Sequence, residues 1–139
     1  MTTDDIPPRL SPDEMPPFTD QASVELAWRS LMGRLGFTRP QLWVLFVVGD
    51  RPLHLLHVED VPLQPSTAES QGIAQLVDQL LDERRSCAFL FARPGGPGRT
   101  AGDLAWARAL ASICGRWPVH LANDVELRVA APDDLAAAG

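Results

Sequence analysis

The stretch Leu42-Trp43-Val44-Leu45-Phe46-Val47-Val48 is apolar at every position and is closed off by Pro40 before it and Gly49-Asp50 after it. A run of this length between turn residues reads as a β-strand buried on both faces. A strand with two apolar faces needs cover on both sides, so it sets the architecture: a sheet with helices packed against its faces.

The neighbouring segments supply that cover. Val24, Trp28, Leu31 and Leu35 recur at helical spacing after Thr19 or Asp20, with Gly36 expected just past the helix end. Arg51-Pro52 turns the buried strand into a second one, Leu53 to Val58, as a hairpin. After the loop Glu59 to Pro65, Ser66-Thr67-Ala68-Glu69 is a capping box, and Ile73, Leu76, Val77, Leu80 and Leu81 continue a helical stripe. Cys87 to Ala92 reads as a third strand and Arg93 to Arg99 as a Gly/Pro loop. Thr100-Ala101-Gly102-Asp103 starts a helix that runs to about Cys114 and stops at Gly115. Pro118 to Ala122 and Val125 to Val129 read as two short strands turned at Asn123-Asp124. The order α-β-β-α-β-α-β-β predicts an α/β fold with one mixed β-sheet flanked by helices.

The expected domain covers 19–131. Residues 1–18 hold Pro7, Pro8, Pro12, Pro16 and Pro17 among acidic side chains, a composition expected to form a flexible arm. Residues 132–139 are expected to form a short flexible tail. A chain of 139 residues is the size of one ordinary domain, and the net charge of −6 argues against nucleic acid as a partner. All 12 basic residues are arginine, which excludes Schiff-base chemistry and a Walker lysine. Cys87 and Cys114 lack CxxC spacing and read as buried thiols in a reducing compartment. With neither a signal-like start nor a long apolar run, the expectation is a cytoplasmic protein off the membrane.

Candidate chemistry is sparse. His54, His57, Glu59 and Asp60 are metal-ligand types, but strand alternation sends the two histidines to opposite faces, so no metal site is expected there. Gly95, Gly96 and Gly98 precede a helix start and suggest a phosphate cradle, although Pro97 removes a donor and a tight turn into a capped helix explains the same residues. Trp28, Trp43, Trp106 and Trp117 are candidates for a stacking platform, and three of them fall on apolar positions where core packing is the ordinary explanation. No GxSxG elbow, HExxH or Cys/His nucleophile pair is present.

Phe91-Ala92-Arg93-Pro94-Gly95-Gly96, followed by Thr100-Ala101-Gly102-Asp103, resembles the motif region of the JAB/MPN metalloprotease family, in its bacterial RadC-like branch. The resemblance covers about residues 19 to 130 and implies a JAB/MPN-like (cytidine deaminase-like) architecture. That family carries a glutamate at its first strand, then H-x-H-P-S-G, then a serine and an aspartate three residues apart at a helix start. There the histidines and aspartate hold zinc, and the glutamate is the base for hydrolysis of an isopeptide or related amide. Carried over, Gln41 falls at the glutamate position, Phe91 and Arg93 at the two histidines, Thr100 at the serine and Asp103 at the aspartate. The segment between Pro94 and the helix is one residue shorter than in the family, and His120 falls near a histidine of its late strand. One carboxylate cannot hold zinc in a four-coordinate site, so the resemblance implies a frame without its metal, catalytic residues or cofactor.

Three functions follow as expectations: an inactive RadC/JAB-like module that binds a protein partner or a second copy; a metal-independent anion site at Arg93, Arg99 and Thr100; and, by family analogy, a DNA-repair accessory role. Arg93 is expected to replace the metal by pairing with Asp103. The competing expectation is that Asp103 only caps its helix while Arg93 points to solvent.

Overall fold

Eight elements form in the computed structural model, which describes residues 15–33, 35–114 and 116–130. In chain order they are α1 (Gln21–Met32), β1 (Gln41–Val48), β2 (Arg51–Glu59), α2 (Thr67–Leu80), β3 (Arg85–Ala92), α3 (Ala101–Ile113), β4 (His120–Ala122) and β5 (Leu127–Val129). The five strands make one mixed sheet in the order β2-β1-β3-β4-β5. β1 is antiparallel to β2 and β3, β3 is parallel to β4, and β4 is antiparallel to β5. The fold class is mixed α/β, as the element order predicts.

The apolar run of β1 is second from the edge and buried on both faces, and strand alternation divides it. Trp43, Leu45 and Val47 face α1 with Val24, Trp28 and Leu31. Leu42 and Val44 face α2 and α3 with Val77, Phe89, Phe91, Trp106 and Leu110. The crossovers through α2 and α3 travel in the same direction across the sheet, so crossovers of one hand deliver both helices to one face. The other face is left to α1.

Each helix begins with a reciprocal capping box: Asp20 with Ser23, Ser66 with Glu69, and Thr100 with Asp103. The end of α1 departs from expectation. α1 stops at Met32, where Gly33 (φ 69°) donates its N–H to Arg29 O, so Leu35 and Phe37 reach the core from outside the helix. α3 ends at Ile113 with Cys114 as its cap, and the expected stop at Gly115 lies outside the described residues. β4 begins at His120 rather than Pro118, and β5 begins at Leu127 rather than Val125 because residues 123–126 form the turn: Asn123 N–H bonds Glu126 O, and Asn123 Oδ1 accepts from Val125 and Glu126 N–H.

The packed chain also starts earlier than Thr19. Met15 and Phe18, assigned to the arm by its proline content, are buried in the α1-side core. Phe18 meets Trp117 edge to face, and its N–H bonds Asp50 O. Two apolar anchors that close in sequence can order a proline-rich segment, because proline already limits the backbone freedom to be lost. The rest of the expected arm (1–14), residue 131 of the expected domain and the expected tail (132–139) lie outside the described residues.

Candidate functional site

Strand alternation decides which of the motif residues meet. Phe91 lies on the α3 face of β3, and Arg93, two residues on, projects to the same side from the loop that follows. Thr100 and Asp103 arrive at that corner as the N-cap and N3 residues of α3. Gln41 does not. It shares the opposite face with Trp43, and its Oε1 accepts from Trp43 Nε1 at 3.1 Å and lies 2.9 Å from His57 Nε2. The expected placement of Gln41 with the other four is therefore corrected. His120 is also turned away, because its β3 neighbour is Leu90 rather than Phe91.

Arg93 and Asp103 form a buried, bidentate ion pair. Nε donates to Oδ1 at 2.8 Å and Nη2 to Oδ2 at 3.0 Å, with the residues only 6% and 4% exposed. The pairing and capping alternatives hold together, since Oδ2 also accepts the Thr100 N–H at 3.0 Å while Thr100 Oγ1 accepts the Asp103 N–H. Hydrogen bonding to Asp103 raises the Arg93 pKa above the ordinary arginine value, against the opposing pull of burial.

Arg93 also organises the loop. Its Nη1 donates to Pro94 O at 3.1 Å and its Nη2 to Gly98 O at 3.1 Å, so the guanidinium sits inside the turn that follows it. Gly95, at φ 117°, lies beneath the guanidinium, where a Cβ would collide with Nη1. The loop's own N–H groups are answered by carboxylates of the β4–β5 turn: Gly95 N–H by Asp124 and Gly98 N–H by Glu126. The N–H bonds from Gly95 and Phe37 hold the Asp124 carboxyl below the usual range. An incoming phosphate would have to displace these internal anions.

The residues of the expected anion pocket have internal partners. Arg93 is spent on Asp103 and the loop carbonyls, the Thr100 N–H on Asp103, and Arg99 Nη2 bonds Val129 O at 2.8 Å.

The corner is closed from above. Trp106 stacks on Phe91 at 5.4 Å between ring centroids, and its Nε1 donates to Pro62 O at 2.8 Å. The carbonyl of Leu63 lies over Gly102, where a Cβ would overlap it. The β2–α2 connection thus lies on the first turns of α3. Zinc does not fit this corner: Phe91 and Arg93 offer no ligand atom, and both Asp103 oxygens already accept hydrogen bonds.

Gly102, Trp106, Asp124 and Glu126 were missed as parts of this corner. A glycine inside a capped helical turn was the one available signal, since such a residue points to close backbone approach.

Elsewhere, His54 and His57 lie on opposite faces as alternation requires: His54 pairs with Phe46, and His57 stacks on Trp43 at 4.1 Å. Leu53 departs from strict alternation at a bulge opposite Phe46 and Val47 and lines the same pocket as His54. No group of three or more metal-ligating side chains occurs among the described residues. Trp28, Trp43 and Trp106 are core residues and Trp117 is half-buried, so the four do not form a stacking platform.

Among the described residues no helix is long and apolar enough to cross a membrane. Comparison of the chain with family models, curated proteins and solved structures gave no match.

Proposed function

We propose that the chain is a catalytically inactive RadC/JAB-like domain that acts as a cytoplasmic protein-interaction module. The observation that carries this reading is the Arg93–Asp103 pair. In the family frame a cation-binding aspartate needs positive charge beside it, and a guanidinium at the second histidine position supplies it without a metal. Phe91, at the first histidine position, fills the space against Trp106. The surroundings favour recognition over chemistry. A groove of about 700 Å³ runs between α2 and α3, lined by Ser70, Gln71, Ala74, Ala105, Ala109 and Ser112. Leu76 and Leu80 of α2 remain 43% and 41% exposed.

Zinc content tests the reading, measured on the wild type and on the double variant Phe91→His/Arg93→His after purification without chelator. The wild type is expected to carry no stoichiometric zinc, and the double variant to bind about one per chain through the restored histidines and Asp103. About one zinc in the wild type, or zinc-dependent amide hydrolysis by it, overturns the inactive reading. A folded double variant that ignores zinc overturns the family frame.

A further inference from the structure

At the opposite end of β3 from the Arg93–Asp103 corner, the helical cover of the sheet stops short. α2 ends at Leu80, and beside that end a cavity of about 330 Å³ opens over Phe46 and Val48, the last turn-side residues of β1 on this face. Leu53, His54 and Arg85 complete its lining, and it shares no residue with the α2–α3 groove. Strand register explains why apolar and cationic groups meet here. Val48 is paired with Arg85 on one side and Arg51 on the other, and Phe46 with His54, so these side chains stand on one face of the sheet. The bulge opposite Phe46 and Val47 brings Leu53 to the same pocket. The floor is therefore apolar, and Val48 is flanked by a guanidinium on either side.

We propose that this pocket binds a small amphipathic carboxylate, a fatty acid of medium chain length. Its chain lies over Phe46, Val48, Leu53 and Leu80, and its carboxylate is held at the mouth by Arg85 and Arg51. The volume stands at the low end of the range of about 300–1,000 Å³ usual for ligand sites, which suits one short chain. Leu53 and Leu80 are exposed at the mouth, so an acyl chain seated between them removes apolar surface from water on both partners.

Charge complementarity selects the head group. A guanidinium fork matches a carboxylate in two parallel hydrogen bonds, and a ring nitrogen of His54 offers a further donor beside it. Arg85 is free to turn to such a ligand. Its contact with Asp82 is 3.6 Å long, between side chains that are 53% and 58% exposed, and an ion pair of this kind holds weakly. Asp82 is meanwhile retained by the loop, because its Oδ1 accepts the N–H groups of Arg84 and Arg85. The net charge of −6 favours a single negative charge on the ligand over several.

The test titrates sodium octanoate into the isotope-labelled full-length chain and follows the backbone amides by NMR. Saturable binding is expected with a Kd below about 1 mM, and the largest shifts should fall within 46–54 and 80–85. Arg51→Gln/Arg85→Gln changes two exposed side chains and should weaken octanoate by about tenfold or more. Octanol, which keeps the chain and loses the charge, should bind the wild type weaker than octanoate by a similar factor, and acetate should give no saturable shift. No saturation by about 10 mM octanoate, shifts centred elsewhere, octanol binding as tightly as octanoate, or octyl phosphate binding more tightly would each overturn the proposal. The comparison of octanoate with octanol uses the wild type, so it decides even where the variant fails to fold.

Discussion

On the α3 face of the sheet, Arg93 and Asp103 are buried as ions and satisfy each other; on the α1 face, His120 and Trp28 are buried and their ring nitrogens have no hydrogen-bond partner among the described residues. The first arrangement offsets the cost of removing charge from water by a bidentate pair and a helix cap. The second avoids charge. Burial pushes the His120 pKa down to about 4, against Glu25 and the Pro118 carbonyl and aided by Arg29, so the ring stays neutral at ordinary pH. One face therefore depends on keeping two charges together, and the other on keeping a proton away.

The comparison can be broken most forcefully at Asp103. Asp103→Ala leaves a buried guanidinium without its carboxylate and should cost about 3–5 kcal/mol, read as a lower urea midpoint. Arg93→Met/Asp103→Leu should recover most of that loss, because it removes both charges. A double variant as unstable as the single one would mean the corner is held by packing rather than by the pair.

The α1 face should respond to acid instead. His120 has a folded pKa of about 4 against 6.5 when free, so the unfolded chain takes up the proton first as pH falls. Its stabilising effect is complete above about pH 6.5 and declines as pH drops towards 4, by about 3 kcal/mol in all. Unfolding curves at several pH values should show this decline in the wild type, and His120→Leu should remove its share. An unchanged pH profile in that variant would reject the neutral buried histidine.

A smaller contrast lies within the helical face. Gly102→Ala places a methyl against the Leu63 carbonyl and should cost about 1–3 kcal/mol. Gly72→Ala meets open space on α2 and should stabilise by about 0.5–1 kcal/mol through helix propensity. Thermal midpoints moving in the same direction would show that the β2–α2 connection does not press on α3. Thr100→Ala should cost about 1 kcal/mol from the lost cap, with Thr100→Ser near the wild type.

Local sequence determined what local physics controls. The apolar run at 42–48 predicted the doubly buried strand, Ser66 to Glu69 and Thr100 to Asp103 predicted two helix starts, and the spacing of His54 and His57 predicted their separation. The Arg93–Asp103 pair was legible only through a motif resemblance, because ten residues of sequence separation say nothing of distance in space. Tertiary structure alone decided the rest. The pleat put Gln41 on the wrong face for that corner, although its position along the chain suited it. Packing buried Met15 and Phe18 despite their prolines, and left α2 with Val77 as its one fully buried side chain despite its regular stripe. Each of these outcomes depends on which surface arrives opposite a residue, and the sheet order sets that surface rather than the residue's neighbours in the chain.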